Sequence, residues 1–283
     1  MNAVLLFIII LASTMQSICK KSYNQKSNNK GTYTFSALTT LAAATFFVLS
    51  SSGKLDFQIK LFPWSAGFAF AYGLATVFNL LAITCGSLAL TSLVLSYSLI
   101  LPTIFGILFL GEPVSPWLFA GILLLLLSLL FINLKTEKIK ITLRWSVYVL
   151  ISFIGNGFCS ITQTLQQNKF NGSYKNEFMI IALLLVAITM IIMAFCTERK
   201  ELSFCAQKGI VPGIICGAAN GVVNLLVLIL TTRMSVSVMF PVISAGSILG
   251  TAAISVLLYK ESLSKNQILG VILGIGAIVL LSI

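Results

Sequence analysis

Leu108-Phe109-Leu110-Gly111-Glu112-Pro113-Val114-Ser115, followed by Gly121, has a second copy in Leu257-Leu258-Tyr259-Lys260-Glu261-Ser262-Leu263-Ser264, followed by Gly270. Both fit Glu-x-(Val/Leu)-Ser with a Gly nine residues after the Glu. Each Glu stands between apolar runs of about twenty residues, the length that spans a bilayer as helix. A carboxylate between two such runs belongs at the water interface, because a charge at mid-bilayer costs roughly 2.5–3.5 kcal/mol or more. The Ser three residues on is placed to cap the following helix, whose first backbone donors lack partners. The Gly then lets that helix pack closely on a neighbour. One copy alone is a well-made interfacial turn. Two copies at matching places point to an internal duplication.

Composition agrees with a membrane protein. Of 283 residues, 58% are hydrophobic and 9% charged, against roughly 25% charged in ordinary soluble chains; mean hydropathy is +1.04. The net charge of +11 comes from 18 Lys/Arg against 7 Asp/Glu. These bases fall in short runs between apolar segments, which suits topology setting and anionic lipid headgroups and argues against nucleic acid. Six cysteines without paired spacing read as small apolar fillers, not disulfides or metal ligands. The chain has no histidine, the commonest metal ligand and general base. No cofactor is implied.

Ten spans are expected. The first runs from Val4 to Ile18 and lacks the basic start and cleavage site of a signal peptide; a polar loop, Lys20 to Gly31, follows. The second is Thr34–Ser52. Pro63-Trp64 opens the third, and a turn at Cys85-Gly86-Ser87 leads to the fourth, ending at Leu110. Pro116-Trp117 opens the fifth, to Leu134, and Trp145 the sixth, which fades into Gln166-Gln167-Asn168-Lys169. Phe178–Cys196, Gly209–Thr231, Ser235–Tyr259 and Gln267–Ile283 complete the set, with a charged loop from Glu198 to Lys208 and no soluble domain expected at either end. Trp64, Trp117 and Trp145 are expected as interfacial anchors.

Dividing at the basic loop 135–144 gives a first five-helix repeat, 1–134, and a second, 145–283. The halves match again at Val77-Phe78-Asn79-Leu80-Leu81 and Val222-Val223-Asn224-Leu225-Leu226. The Asn-to-Glu separation is 33 residues in one and 37 in the other, about one helical turn apart. With five spans each, the second copy enters the membrane from the opposite side. The expected fold is an all-α integral membrane protein of ten transmembrane helices in two inverted five-helix repeats. Such repeats put substrate near the midplane between them.

On the two Glu-x-x-Ser hairpins with Gly121 and Gly270, the chain resembles the EamA-type permeases of the drug/metabolite transporter superfamily. The resemblance implies ten helices, a central cavity shared by two halves, and alternating-access movement of small organic molecules. It does not extend to four-helix multidrug members with an acid in their first helix, since no Asp or Glu occurs in residues 1–55.

Polar side chains inside spans are the default site candidates. Asn156, Ser160, Gln163 and Gln167 share one face of the sixth span. Asn220 and Asn224 lie one turn apart in the eighth, beside the packing glycines Gly213, Gly217 and Gly221. Asn79, with Tyr72 nearby, is the matching position in the third. These, Gln167 apart as lying at the water boundary, are the substrate-binding candidates, with interhelical hydrogen bonding as the competing role. Ser92, Ser96 and Thr103, and Ser244, Ser247, Thr251 and Ser255, form hydroxyl faces that ordinarily bond back to their own helices. Pro102 and Pro241 each free a carbonyl and are candidate hinges, and Glu112 and Glu261 are candidate gates.

The loops after odd-numbered spans hold 13 of the 18 Lys/Arg. The positive-inside rule then puts both termini outside, whereas the EamA-type pattern puts both inside. The expected function is a secondary transporter of a small polar metabolite, such as an amino acid, in the cell membrane. Its partners are a small-molecule substrate, membrane lipid, and a proton or counter-substrate for coupling; oligomeric state is left open. The alternatives are a flippase for a lipid-linked intermediate and a multidrug exporter. An intramembrane enzyme would need a nucleophile or metal set that the spans lack.

Overall fold

The computed structural model describes residues 2–28, 30–85, 91, 94–133, 142–259 and 264–281. Regular structure among them is all helical: α1 (Asn2–Lys26), α2 (Thr32–Ser50), α3 (Phe62–Cys85), α4 (Ile100–Phe109), α5 (Pro116–Asn133), α6 (Leu143–Lys169), α7 (Lys175–Thr197), α8 (Leu202–Leu230), α9 (Val236–Tyr259) and α10 (Lys265–Leu281). Short 3-10 turns at Ile59–Leu61 and Tyr97–Leu99 precede α3 and α4. Helix is the form an apolar open chain can take in lipid, since each span must satisfy its own backbone. Among the described residues, seven stretches are long and apolar enough to cross a membrane: Asn2–Lys26, Thr32–Ser50, Ile59–Ile83, Leu143–Lys169, Lys175–Thr197, Leu202–Leu230 and Val236–Ile254. Val94–Phe109, Pro116–Ile132 and Lys265–Leu281 are shorter apolar helices. The chain is a multi-pass membrane protein. Lys260, Glu261, Ser262, Leu263, Gly86, Ser87, Ser92 and most of loop 135–144 lie outside the described residues.

The hairpin motif works locally as its chemistry dictates. Gly111 takes φ 65°, where only glycine is unstrained. The Glu112 N–H reaches back to the Gly106 carbonyl at 3.2 Å, a six-residue closure that ends α4. Ser115 Oγ accepts the Leu118 N–H at 3.0 Å and so caps α5. Ser264 and Gln267 exchange side-chain bonds with each other's N–H groups, at 3.3 and 2.9 Å, and cap α10. A Cβ on Gly121 would lie 2.7 Å from Leu281 Cγ, and one on Gly270 2.9 Å from both Ser128 O and Ile132 N. Each motif glycine therefore presses α5 and α10 together.

Three expectations need correction. The loop expected from Lys20 is helical to Lys26, because Tyr23 is buried there, stacks on Phe35 at 4.3 Å and donates to the Gly31 carbonyl at 2.8 Å. The loop expected from Glu198 to Lys208 gives way to α8 at Leu202, where buried Cys205 sits under Gly31. Trp145 is buried, with its indole N–H donating to Thr91 Oγ1 at 3.0 Å, so it is part of the packed interior; Trp117 is exposed as an anchor should be.

Packing runs mostly between distant parts of the chain. α3 lies on α6, α10 on α5, α2 on α7 and α8, α1 on α8 and α9, α3 on α7, and α4 on α9 and α6. One core centres on Phe178, Met179 and Leu183 of α7, against Phe47, Phe68 and Leu228. Another joins Ile9 to Val227, Leu230, Met239 and Phe240. Small residues set the closest approaches. A Cβ on Gly155 would sit 2.8 Å from Ala71 O, and one on Gly217 2.5 Å from Thr39 O, so α6 meets α3 and α8 meets α2 backbone to backbone.

Candidate functional site

α6 shows which way the interior lies. Val147, Leu150, Ile154 and Phe158 are exposed and recur every three or four residues, the stripe a helix turns to lipid. Asn156 is also exposed but sits roughly 200° around from Ile154 at 100° per residue. It therefore borders open space on the inward face. Its Nδ2 donates to Ser98 Oγ at 2.7 Å, in the turn before α4. Gln163, two turns along the same face, is only 4% exposed.

From Gln163 a run of amides crosses the molecule. Gln163 Nε2 donates to Asn224 Oδ1 at 2.7 Å; Asn224 Nδ2 donates to Asn220 Oδ1 at 3.0 Å and to the Asn220 carbonyl at 2.9 Å. Asn220 Nδ2 then donates to Gln16 Oε1 of α1 at 3.3 Å. Gln163 Nε2 also lies 3.9 Å from Met179 Sδ. The ends of α6 and α8 and the start of α1 are neighbours: Asn2 Nδ2 donates to the Arg233 carbonyl at 3.4 Å, and Thr232 lies beside Gly172. Counting from that end, Gln163 and Asn224 are roughly 9 Å deep, Asn220 roughly 15 Å and Gln16 roughly 21 Å at 1.5 Å per residue. The amides descend into the membrane.

The other candidates fall around this run. Ser160, 9% exposed, lies on α6 between Asn156 and Gln163, and its carbonyl accepts from Thr164 Oγ1 at 3.0 Å. Gln167 is fully buried and donates to Gln166 Oε1. Tyr72 is half-buried, stacks on Phe68 at 6.1 Å and packs against the Phe178 core. Asn79 is half-buried and takes no part in the amide run. Pro102 is buried, and Pro241 lines a narrow cleft between α4, α5 and α9 with Thr103, Ser244 and Tyr97. Thr103 and Thr251 bond back to Leu99 O and Ser247 O, both at 2.8 Å. Glu261 is outside the described residues, and so is the side chain of Ser255.

Glu112 receives the Val236 and Ser237 N–H groups at 2.7 and 2.8 Å, so its carboxylate caps α9. Glu198 does the same for α2, taking the Tyr33 and Thr34 N–H groups at 2.9 Å each and Thr34 Oγ1 at 2.7 Å. Negative charge suits these positions because a helix N-terminus is electropositive. Beside Glu198, Lys30 and Glu201 pair at 2.5 Å, which raises the Lys30 ammonium above its ordinary range, chiefly through that hydrogen bond. Among the described residues no group of His, Cys, Asp and Glu is arranged to hold a metal.

Two residues escape a sequence reading. Gln16 sits at the end of a segment dominated by Leu and Ile; the signal was Ser13-Thr14-Met15-Gln16-Ser17 inside it. Glu198 looked like one loop charge among several; the signal was its place just after a long apolar run of sequence, as for Glu112.

A profile of the EamA-like transporter family matches residues 143–283. The chain belongs to the EamA-like transporter family. It is thus a member of a family of membrane transporters within the drug/metabolite transporter superfamily. Among solved structures, one described as "Crystal structure of protein" superposes with a TM-score of 0.78 at 15% identity, covering 100% of this chain and 98% of that one. That likeness speaks for the fold. No curated protein matches the chain.

Proposed function

We propose that this EamA-like chain is a secondary transporter of the cell membrane, moving a small polar metabolite such as an amino acid by alternating access between two inverted five-helix repeats. The repeats are residues 1–134 and 145–283, joined by the basic loop 135–144. One observation carries the reading: amides from both halves, Gln16 in one and Gln163, Asn220 and Asn224 in the other, meet within the spans and bond across them. Side chains of that kind are costly in lipid unless they face one another or a ligand. Asn156, Ser160, Asn79 and Tyr72 complete the proposed lining.

The packing supports the division into repeats. Exchanging α1–α5 with α6–α10 turns the α3–α6 contact into α8–α1, α2–α8 into α7–α3, and α1–α9 into α6–α4, all of which occur. The α5–α10, α2–α7 and α4–α9 pairs map onto themselves. Glu112 and Glu261 are the gates of this scheme, and Pro102 and Pro241 its hinges. A proton or counter-substrate supplies the coupling, and lipid surrounds the whole.

The test is transport by the purified protein in liposomes, read as current on a supported membrane. Pools of amino acids, sugars, nucleosides and cationic dyes are applied with and without a pH step, then repeated as labelled counterflow to catch electroneutral exchange. A saturable response lost in Asn224→Ala supports the proposal. Silence in both assays overturns it in favour of lipid cargo.

A further inference from the structure

Lys20 is a charge inside a span. Because α1 continues to Lys26, Lys20 stands roughly 9 Å below the end of its helix at 1.5 Å per residue. Gln16 O lies 4.0 Å from Cys216 Sγ, and the Tyr23 ring 3.2 Å from where a Cβ on Gly209 would be, so α1 and α8 run antiparallel. Lys20 falls between those two contacts, roughly 15 Å along α8 from its start at Leu202.

Its direction is inward. Val4, Phe7, Leu11 and Met15 form the exposed apolar stripe that α1 turns to lipid. Lys20 comes nine residues after Leu11, which is half a turn around the helix at about 100° per residue. It shares a face with Ile9, Ser13 and Gln16, at spacings of four, three and four. Ile9 is fully buried against Val227, Met239 and Phe240, whereas Lys20 is exposed. The inward face of α1 is thus closed at Ile9 and open at Lys20.

This cation lacks a counter-charge. No Asp or Glu occurs in α1, α2, α8 or α9, and among the described residues no carboxylate pairs with Lys20. Glu198 is engaged by the start of α2 and Glu201 by Lys30. One turn deeper, Gln16 adds a second donor. Asn224 donates to the Asn220 backbone carbonyl, which can only accept, so the Asn220 Oδ1 beside it accepts as well. Asn220 Nδ2 therefore donates to Gln16 Oε1, and the Gln16 NH2 is left without a partner among the described residues. It is not sealed off. Side chains four apart on a helix are neighbours, so the ammonium and the amide NH2 converge on one anion. Charges within spans characteristically mark substrate paths, and a carboxylate or phosphate is the partner these two donors lack.

We infer that Lys20 is a ligand-binding residue, its ammonium and the Gln16 amide together holding the anionic group, a carboxylate or phosphate, of the transported solute. The inference rests on the transporter reading. A lipid headgroup offers the same phosphate chemistry, and the test separates the two sources.

Labelled counterflow is measured for pools of amino acids, organic acids, sugar phosphates, sugars, nucleosides and cationic dyes. The liposomes are phosphatidylcholine alone or phosphatidylcholine with anionic phosphatidylglycerol. The expected result is saturable movement from one or more of the first three pools, whose members carry a carboxylate or phosphate, and none from the others. In phosphatidylcholine alone, Lys20→Gln should raise the half-saturating concentration about tenfold or more, the worth of one hydrogen bond to a charged group. The maximal rate should be retained, a split that misfolding cannot produce, and Lys20→Arg should stay close to wild type. Movement indifferent to Lys20→Gln would overturn the inference. A loss seen only with phosphatidylglycerol present would do so too, assigning Lys20 to a headgroup. So would carriage of sugars, nucleosides or dyes without any anionic solute, an outcome that leaves the transporter reading standing. Silence in every pool removes both.

Discussion

Glu112 and Ser237 are 125 positions apart in the sequence, yet the carboxylate of one holds the backbone N–H of the other at 2.8 Å. With the Val236 N–H on its second oxygen, Glu112 fastens the start of α9 to the end of α4. The Glu of the hairpin motif is therefore a fastening between α4 and α9. Gly111 makes it possible by closing α4 so that the next residue turns outward.

Glu112→Ala should therefore cost about 1–2 kcal/mol, the usual worth of a helix cap with some added charge. Thermal unfolding in detergent measures this, and hydrogen exchange should speed up at the Val236 and Ser237 amides. Glu112→Gln, which keeps one carbonyl acceptor, should fall between.

The two motif glycines are not equivalent. Gly270 faces backbone atoms of Ser128 and Ile132, whereas Gly121 faces mainly the Leu281 side chain, which can rotate aside. Gly270→Ala should destabilise by about 1–3 kcal/mol, the ordinary cost of overpacking, and Gly121→Ala by less. Equal losses on thermal unfolding would contradict this geometry.

Asn156 has an exposed side chain with one bond, to Ser98. Asn156→Ala should shift unfolding by less than about 1 kcal/mol. In the same preparation, counterflow of the solute found in the pool screen should fall at least about tenfold, which is one lost hydrogen bond's worth and more. A stability loss with intact transport would make Asn156 a packing residue.

Lys30 is held above its ordinary 10.5 by Glu201. A base raised in the folded state contributes stability that is complete below 10.5 and lost as pH climbs through the raised value. Unfolding of the wild type should thus show an added alkaline slope that Lys30→Met lacks, small because the pair is exposed, and smaller in high salt.

What the sequence disclosed was local. Ser115, Ser264, Gly121 and Gly270 act within a few residues of where they stand or through their lack of a side chain, so spacing alone exposed them. Asn156, Gln163, Asn220 and Asn224 could be picked because polar groups within apolar runs are rare. The bond partners could not be read. Gln16 gains meaning only when α1 is laid along α8, and Glu198 only when the end of α7 meets the start of α2. Trp145 misled for the same reason: its position suggested a headgroup anchor, but Thr91 offers its indole a buried partner.

The seam between α5 and α10 has a practical use. Backbone touches backbone there around Gly270, and Ser128 Oγ donates to the Gly270 carbonyl at 2.7 Å, so the two helices have no slack to slide. Probes attached at outward positions of this pair, such as Phe119 and Ile272, which are 70% and 60% exposed, form a built-in ruler. Their separation should hold constant through every condition. Any spacing measured from α1, α6 or α8 to that ruler then reports displacement in a fixed frame.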